Sequence, residues 1–455
     1  MASNRENFGS QFGAIMALAG SAIGLGNIWR FPYMVGEYGG AAFIIVYILC
    51  SLLFSLPIFL SETIVGRHTG QSTTGAMRKL APGTRWPAIG LLCLIAPIII
   101  ISFYSVVGGW SVDFLVRSVA GSMGTESVEQ ATQLFGKVSS SVWEPIIAHT
   151  AFLGLSAFVV LGGVQKGIEK FTKITMPVLV VLMIVLVFYS ISLPGAEAGV
   201  EYLVKPDFSK LTGKAIAAAL GQSFFSMSLG VGTIVAYSSY ISKSDNILSS
   251  SLWTLIADTV FALIAGFAIM PAVFAAGMQP GAGPSLVFGT LPFIFANMHG
   301  ISPIVSTVVP ILFFLALLMA AITSEISMVE ACVAYLYDEK KMGRKKAVAL
   351  VFCITWVLGV LCCLSFGVLE DIKLFGKTLF EFFDHISSNY LMLFGALAIC
   401  IFVGWKMKKS AVRDEFTNEG SIKSNNRIFG VLYFMIRYVT PIAVVTIFIT
   451  NLLAL

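Results

Sequence analysis

The chain runs to 455 residues, of which 57% are hydrophobic and only 12% charged, with a mean hydropathy of +0.88 and a formal charge of +5. Water-soluble domains are far less apolar, so the composition excludes a large soluble enzyme or binding module and predicts a protein that is nearly all membrane. The seven cysteines sit in apolar runs and the four histidines are scattered, which leaves neither a disulfide framework nor a metal-catalytic spacing.

Crossing the hydrocarbon core takes roughly 20 apolar residues. Eleven segments qualify, near 11–36, 41–66, 88–118, 145–162, 168–192, 213–240, 247–275, 304–337, 344–366, 378–405 and 430–453. A short polar stretch, Met1 to Gly13, precedes the first, which is read as a retained span and not as a signal peptide. Of the 29 Lys and Arg, about twenty fall on one side if the N-terminus is cytoplasmic. They cluster at Arg67, Arg78, Lys79 and Arg85, at Lys166, Lys170 and Lys173, from Lys340 to Lys346, and from Lys406 to Arg427. The alternate loops carry acids such as Glu126, Glu144, Glu197, Asp207 and Glu370. The expectation is a multi-pass inner (plasma) membrane protein with its N-terminus in the cytoplasm and its C-terminus outside. The basic loops follow from that orientation and do not call for nucleic acid. No obligatory protein partner is inferred. Loops 119–144 and 276–303 are the larger external ones, and the second, rich in Gly and Pro, is expected to carry a short helix over the site.

The first span is interrupted by Gly-Ser-Ala-Ile-Gly-Leu-Gly-Asn-Ile-Trp-Arg-Phe-Pro, from Gly20 to Pro32. Backbone groups freed at membrane depth persist only where something binds them or where they line a wet cavity. Half-helix N-termini hold anions and unwound carbonyls hold cations, so the interruption predicts an ion-coupled carrier with its site near the midplane. Span six echoes it: Gly230-Val231-Gly232 interrupts a run that begins Ser223-Phe224-Phe225-Ser226, as Gly24-Leu25-Gly26 interrupts span one. A single Gly pair in a span is more often a packing device. Two pairs at positions one and six predict inverted five-span repeats, about 11–192 and 213–405, with a helix at about 430–453 outside the symmetry.

The run from Gly20 to Pro32 resembles the first-span signature of the neurotransmitter:sodium symporter family, whose bacterial members are mostly amino-acid carriers of the leucine-transporter type. Gly66-Arg67, the stretch from Gly221-Gln222 to Gly232, and Thr323-Ser324 extend the resemblance over nearly the whole chain. It implies an all-α fold of eleven transmembrane helices with spans one and six broken. It also implies Na⁺-coupled symport of an amino acid by alternating access, with two sodium ions bound.

In the resembling family one ion lies between the carbonyls of Gly20 and Ile23 and span eight, here Ala320, Thr323 and Ser324. Hard cations take such oxygen ligands, although Ser and Thr also commonly bond back to their own helix. The other ion would meet Ala22, Asn27, Ser226 and a span-seven polar residue, here Asp258 where many members have Asn. Chloride-dependent relatives place Cl⁻ nearby, so Asp258 is expected to supply that negative charge and to remove the chloride requirement.

The resemblance puts the substrate carboxylate on the amides of Leu25 and Gly26 and on Tyr104. The amine would meet the carbonyls of Ala22, Phe225 and Ser226, and the side chain a pocket of Ile100, Phe225, Ser228, Val231, Ser327 and Met328. Gly24 stands where monoamine carriers have Asp, which favours a cargo with its own carboxylate. A neutral, apolar or aromatic amino acid is expected. The implied gates are Arg30 with Asp384 (Glu381 as the alternative) on one side and Arg5 with Asp338, supported by Tyr240, on the other. Gly167 and Pro177 match a family element that unwinds in span five. Glu62 matches a family position, whereas Glu325 has no explanation in the sequence.

Three other readings compete. A channel wants a continuous selectivity lining, and an intramembrane enzyme wants a catalytic motif; neither Gly-x-Ser-x-Gly nor His-Glu-x-x-His occurs. A transporter-like sensor that binds an amino acid without carrying it is the remaining alternative.

Overall fold

The computed structural model describes residues 6–123, 127–278, 286–296 and 303–453, and every regular element among them is a helix. Among the described residues nine helices are long and apolar enough to cross a membrane: Ala41–Thr69, Pro87–Val119, Trp143–Leu161, Val164–Ile191, Ile247–Ala275, Ser306–Lys340, Arg344–Leu364, Leu379–Lys406 and Lys423–Thr450. Span one is a bent pair, Gln11–Ala22 and Gly26–Glu37, meeting at 53°. Span six falls into Gly213–Ser226 and Thr233–Ser238, each half too short to cross alone. Eleven passes therefore account for the eleven segments read from the sequence.

The differences lie at the ends. Span eleven starts at Lys423, not near 430, because Asn, Lys and Arg continue the helix past its apolar stretch. The loop at 119–144 contains a helix, Val128–Ser140, and Leu286–Ala296 within the loop at 276–303 is helical, as expected of the second. Span five runs unbroken through Pro177, so the segment from Gly167 onward is wound in this conformation.

Local chemistry sets the elements. The Ser10 hydroxyl accepts from the Gly13 N–H at 3.0 Å and caps span one, and Asn246 caps span seven in the same way. Pro87 stands in the first turn of span three, where the missing N–H costs nothing, while Pro32 and Pro57 each follow directly on a π-helical turn within their helices. The turn in span six needs left-handed backbone at Ser228, Gly230 and Gly232, with φ of +53°, +80° and +75°. Glycine adopts that conformation without strain. Ser228 holds it while its hydroxyl donates to the Ser21 carbonyl at 2.9 Å, tying one break to the other.

Spans one and six lie at the centre, flanked by spans three and eight, and the broken backbone is walled off from lipid. Gly230 and Gly395 bring spans six and ten close together: a Cβ on Gly395 would stand 2.0 Å from the Gly230 carbonyl oxygen, and one on Gly230 1.9 Å from that of Met392. Span ten thus presses main chain against main chain at the span-six turn. Outward-facing Phe158, Phe188 and Ile442 are more than half exposed, as a lipid-contacting surface requires.

Candidate functional site

A small cavity of about 40 Å³ lies between the two breaks. Ala22, Gly24, Leu25 and Gly26 form one wall, Ile100 and Tyr104 another, and Phe225, Ser226, Ser228 and Val231 a third, with Met328 beside them. Ser324 and Met392 also line it, and neither was expected there. Ser327, expected as lining, instead accepts from the Ser21 hydroxyl at 2.8 Å and donates to the Ser324 carbonyl at 2.7 Å, outside the cavity wall.

The wall at span one is polar because the helix is open there. Leu25 N–H donates to the Tyr104 hydroxyl at 3.2 Å, and Gly24 N–H to the Asn27 side-chain oxygen at 3.0 Å. No room exists for a side chain at position 24: a Cβ would stand 2.4 Å from Ser324 Oγ and 2.8 Å from the Tyr104 hydroxyl.

Beside the cavity is a dense polar cluster. The Asp258 carboxylate accepts from Asn27 Nδ2 at 2.8 Å, from the Ser226 hydroxyl at 2.8 and 2.9 Å, and from the Tyr47 hydroxyl at 3.2 Å. All four side chains are 2% exposed or less. Tyr47, from span two, is a partner the sequence reading missed. A buried phenol needs an acceptor, and that requirement was the available signal.

A second group of oxygens gathers where span eight crosses span one. Ser324 Oγ lies 3.4 Å from the Gly20 carbonyl and 3.1 Å from that of Ile23, while Thr323 Oγ1 lies 3.0 Å from the Ala320 carbonyl. The Ser324 hydroxyl thus reaches both expected carbonyls of span one, whereas the Thr323 hydroxyl is bonded within its own helix, to the Ala320 and Met319 carbonyls. The set is oxygen only, which fits a hard monovalent cation, and each hydroxyl can turn its proton away to present a lone pair.

Glu62 accepts from the Gly230 N–H at 2.7 Å and fixes the span-six turn to span two. Both carboxyl oxygens of the fully buried Glu325 lack a hydrogen-bond partner among the described residues, and nothing around it explains the acid.

At the gate positions, Arg30 lies over the Phe225 ring at 4.5 Å, on the cavity's rim. Asp384 is close enough to act on it electrostatically, but the two form no ion pair within 4 Å among the described residues. Glu381 closes a capping box with Thr378, so its carboxylate serves its own helix. Farther out on that side, Phe288 of the loop helix stacks on Phe135 and packs edge-on to Trp110 and Phe114.

At the opposite end, Arg5 lies outside the described residues, and Asp338 accepts from the Ser72 N–H at 2.7 Å. Tyr240 donates to Glu330 at 2.7 Å, and Arg344 clamps the same carboxylate at 2.5 and 3.2 Å. The chain before span one is strapped to the start of span five. Glu6 accepts from Val164 N–H at 2.7 Å, Glu169 accepts from Gly9 N–H at 2.7 Å, and Phe8 N–H donates to the Tyr240 carbonyl at 2.9 Å. Glu169 fills the space beside Gly13 so fully that a Cβ there would stand 1.9 Å from its oxygen.

A further charged cluster lies beyond the end of span two. Glu415, from the helix Lys409–Thr417, takes Arg67 at 2.5 Å, Lys243 at 2.7 Å and His68 at 3.1 Å. Burial alone would raise its pKa, but the His68 hydrogen bond and the Arg67 and Lys243 charges outweigh it and hold the carboxyl down at about 2.

The profile of the Sodium:neurotransmitter symporter family matches residues 5–133 and 125–455. The uncharacterized sodium-dependent transporter YhdH of Bacillus subtilis (strain 168) is 40% identical over 441 residues, covering 96% of each chain. An uncharacterized sodium-dependent transporter of Haemophilus influenzae is 31% identical and covers 98% of each. A solved structure, MhsT in complex with L-phenylalanine, superposes with a TM-score of 0.89 at 37% identity, covering 98% of this chain and all of that one.

Proposed function

We propose that this chain, which belongs to the sodium:neurotransmitter symporter family and is a sodium-coupled secondary transporter and not an enzyme, carries a neutral apolar or aromatic amino acid. The cavity between the two breaks is the observation that carries the reading: open backbone on one side, Ile100, Val231, Met328 and Met392 on the other. The substrate carboxylate meets the amides of Leu25 and Gly26 and the Tyr104 hydroxyl. The amine meets the carbonyls of Ala22, Phe225 and Ser226. Gly24 contributes no carboxylate, so the cargo brings its own. The phenylalanine held by MhsT supports an aromatic or large aliphatic side chain.

Two sodium ions take part. One sits among Gly20, Ile23, Ala320, Thr323 and Ser324, bridging spans one and eight. The other sits with Ala22, Asn27, Ser226 and Asp258 against the substrate carboxylate. Each ion joins elements that must separate for release, so ion and substrate occupancy favour the same closed arrangement. Asp258 contributes the fixed negative charge, and chloride is not required. The halves 11–192 and 213–405 act as inverted repeats. Alternation opens the Arg30–Asp384 side, or else the side held by the strap on span five and by Tyr240 with Glu330. With the N-terminus cytoplasmic, the strapped side is the inner gate and the C-terminus is outside.

The test is a thermal-shift screen of amino acids with and without Na⁺, since a ligand of the folded state raises its stability by mass action, followed by uptake into proteoliposomes. Accumulation of the Na⁺-dependent hit only under an inward sodium gradient is the expected result. Binding without accumulation contradicts it and marks a sensor. Asn27→Ala and Thr323→Ala should each abolish driven uptake in folded protein.

A further inference from the structure

Where span ten ends, against span eleven, four basic side chains meet no acid. Arg437, Lys406, Lys408 and Lys409 form no ion pair among the described residues. Of the two acids of the intervening helix, Glu415 is turned away to Arg67 and Lys243, and Asp414 forms no ion pair among the described residues. Arg437 is placed with care all the same. Its guanidinium lies over the Trp405 ring at 4.3 Å and beside the Tyr438 ring at 5.4 Å. The Trp405 indole N–H donates to the Arg437 carbonyl at 3.0 Å, and Gly404 lets the Arg437 backbone approach so closely that a Cβ would stand 2.9 Å from its Cα. One turn back, Tyr433 bonds the Gly404 carbonyl at 3.1 Å and carries the Lys409 ammonium 5.3 Å from its ring centre.

The Arg437 Nε is buried without a hydrogen-bond partner among the described residues. The other two guanidinium nitrogens are not buried and make no hydrogen bond among the described residues, so they are the donors left for an acceptor from outside. The level in the membrane points to that acceptor. Trp405 is followed by Lys406 and the end of span ten, so the corner lies at the basic edge of the bilayer, where aromatic rings mark the interface. Trp405, Phe434 and Tyr438 are 56%, 55% and 41% exposed and offer acyl chains an apolar surface around the cation. A guanidinium pairs two of its donors with phosphate oxygens, and basic pockets between helices on this side suit anionic headgroups.

We propose that the corner formed by Arg437, Trp405 and Lys409 binds the phosphate of an anionic phospholipid, with the acyl chains lying over Phe434 and Tyr438. The lipid then joins span eleven to span ten at the point where both leave the bilayer.

The experiment measures thermal unfolding of the full chain in detergent while phosphatidylglycerol or phosphatidylcholine is titrated in. Wild type should be stabilised by phosphatidylglycerol and far less by phosphatidylcholine. Arg437→Gln and Lys409→Gln should each weaken the apparent phosphatidylglycerol affinity by about five-fold. Lys409 is exposed in a first helical turn, so that variant decides the matter even if Arg437→Gln fails to fold. Equal stabilisation by the two lipids in wild type, or unchanged affinity in Lys409→Gln, overturns the proposal. So does an equal shift from millimolar inorganic phosphate, which would assign an ion site and not a lipid site.

Discussion

Asn27 and Asp258 meet directly: the Asn27 amide donates to the Asp258 carboxylate at 2.8 Å across 231 residues of chain. The contact fixes the second half of span one to span seven, and Ser226 brings the span-six break to the same carboxylate. A movement of either broken span therefore pulls on this acid.

Replacing the acid isolates its charge. Asp258→Asn keeps a similar shape but removes one unit charge beside the proposed ion, so sodium affinity should fall at least about ten-fold. Native uptake should be equal in gluconate and chloride buffers, and the variant should recover part of its rate only in chloride. Strict chloride dependence of the native protein would contradict the role given to Asp258.

Position 24 tests the pocket. Gly24→Ala puts a methyl group 2.4 Å from Ser324 Oγ. The methyl group displaces Ser324 and the Tyr104 hydroxyl from the proposed carboxylate site, so amino-acid affinity should fall by about ten-fold, the loss of roughly one hydrogen bond. Isothermal titration with the substrate found by screening measures it. Binding at wild-type strength would place the substrate elsewhere.

The strap is tested at Gly13. Gly13→Ala collides with Glu169, should release Gly9 from it, and so should loosen the strap that Glu6 and Val164 continue. Hydrogen exchange across residues 6–13 and 164–169 should speed up, while exchange in span three stays unchanged. Equal protection in both proteins would show that the strap does not depend on that contact.

The Glu415 cluster predicts a pH dependence. Its folded pKa of about 2 lies below the usual glutamate value of 4.5, so the cluster adds stability above pH 4.5 that is lost as pH falls towards 2. The difference corresponds to roughly 3 kcal/mol at neutral pH. Thermal unfolding from pH 7 to pH 3 should show a steeper decline in wild type than in Glu415→Gln. Parallel curves would remove the linkage.

The features legible in the sequence share one cause. Breaks in spans one and six were visible because backbone exposed in a membrane must be written in Gly and small polar residues, as at Gly24, Gly26, Gly230 and Gly232. Thr323 and Ser324 were visible as adjacent hydroxyls in an otherwise apolar span. Pairings across the fold were not visible. Nothing local joins Arg67 to Glu415, 348 residues on, or Tyr47 to Asp258. Met392 enters the cavity wall only because Gly230 and Gly395 allow their spans to touch, a fact of three dimensions. The capping box of Thr378 and Glu381 is by contrast a local pattern that the sequence does carry.

That touching of Gly230 and Gly395 separates two evolutionary freedoms. A contact made of peptide groups alone is indifferent to which side chains surround it. Val231 and Met392, which line the cavity, can drift in bulk without disturbing it.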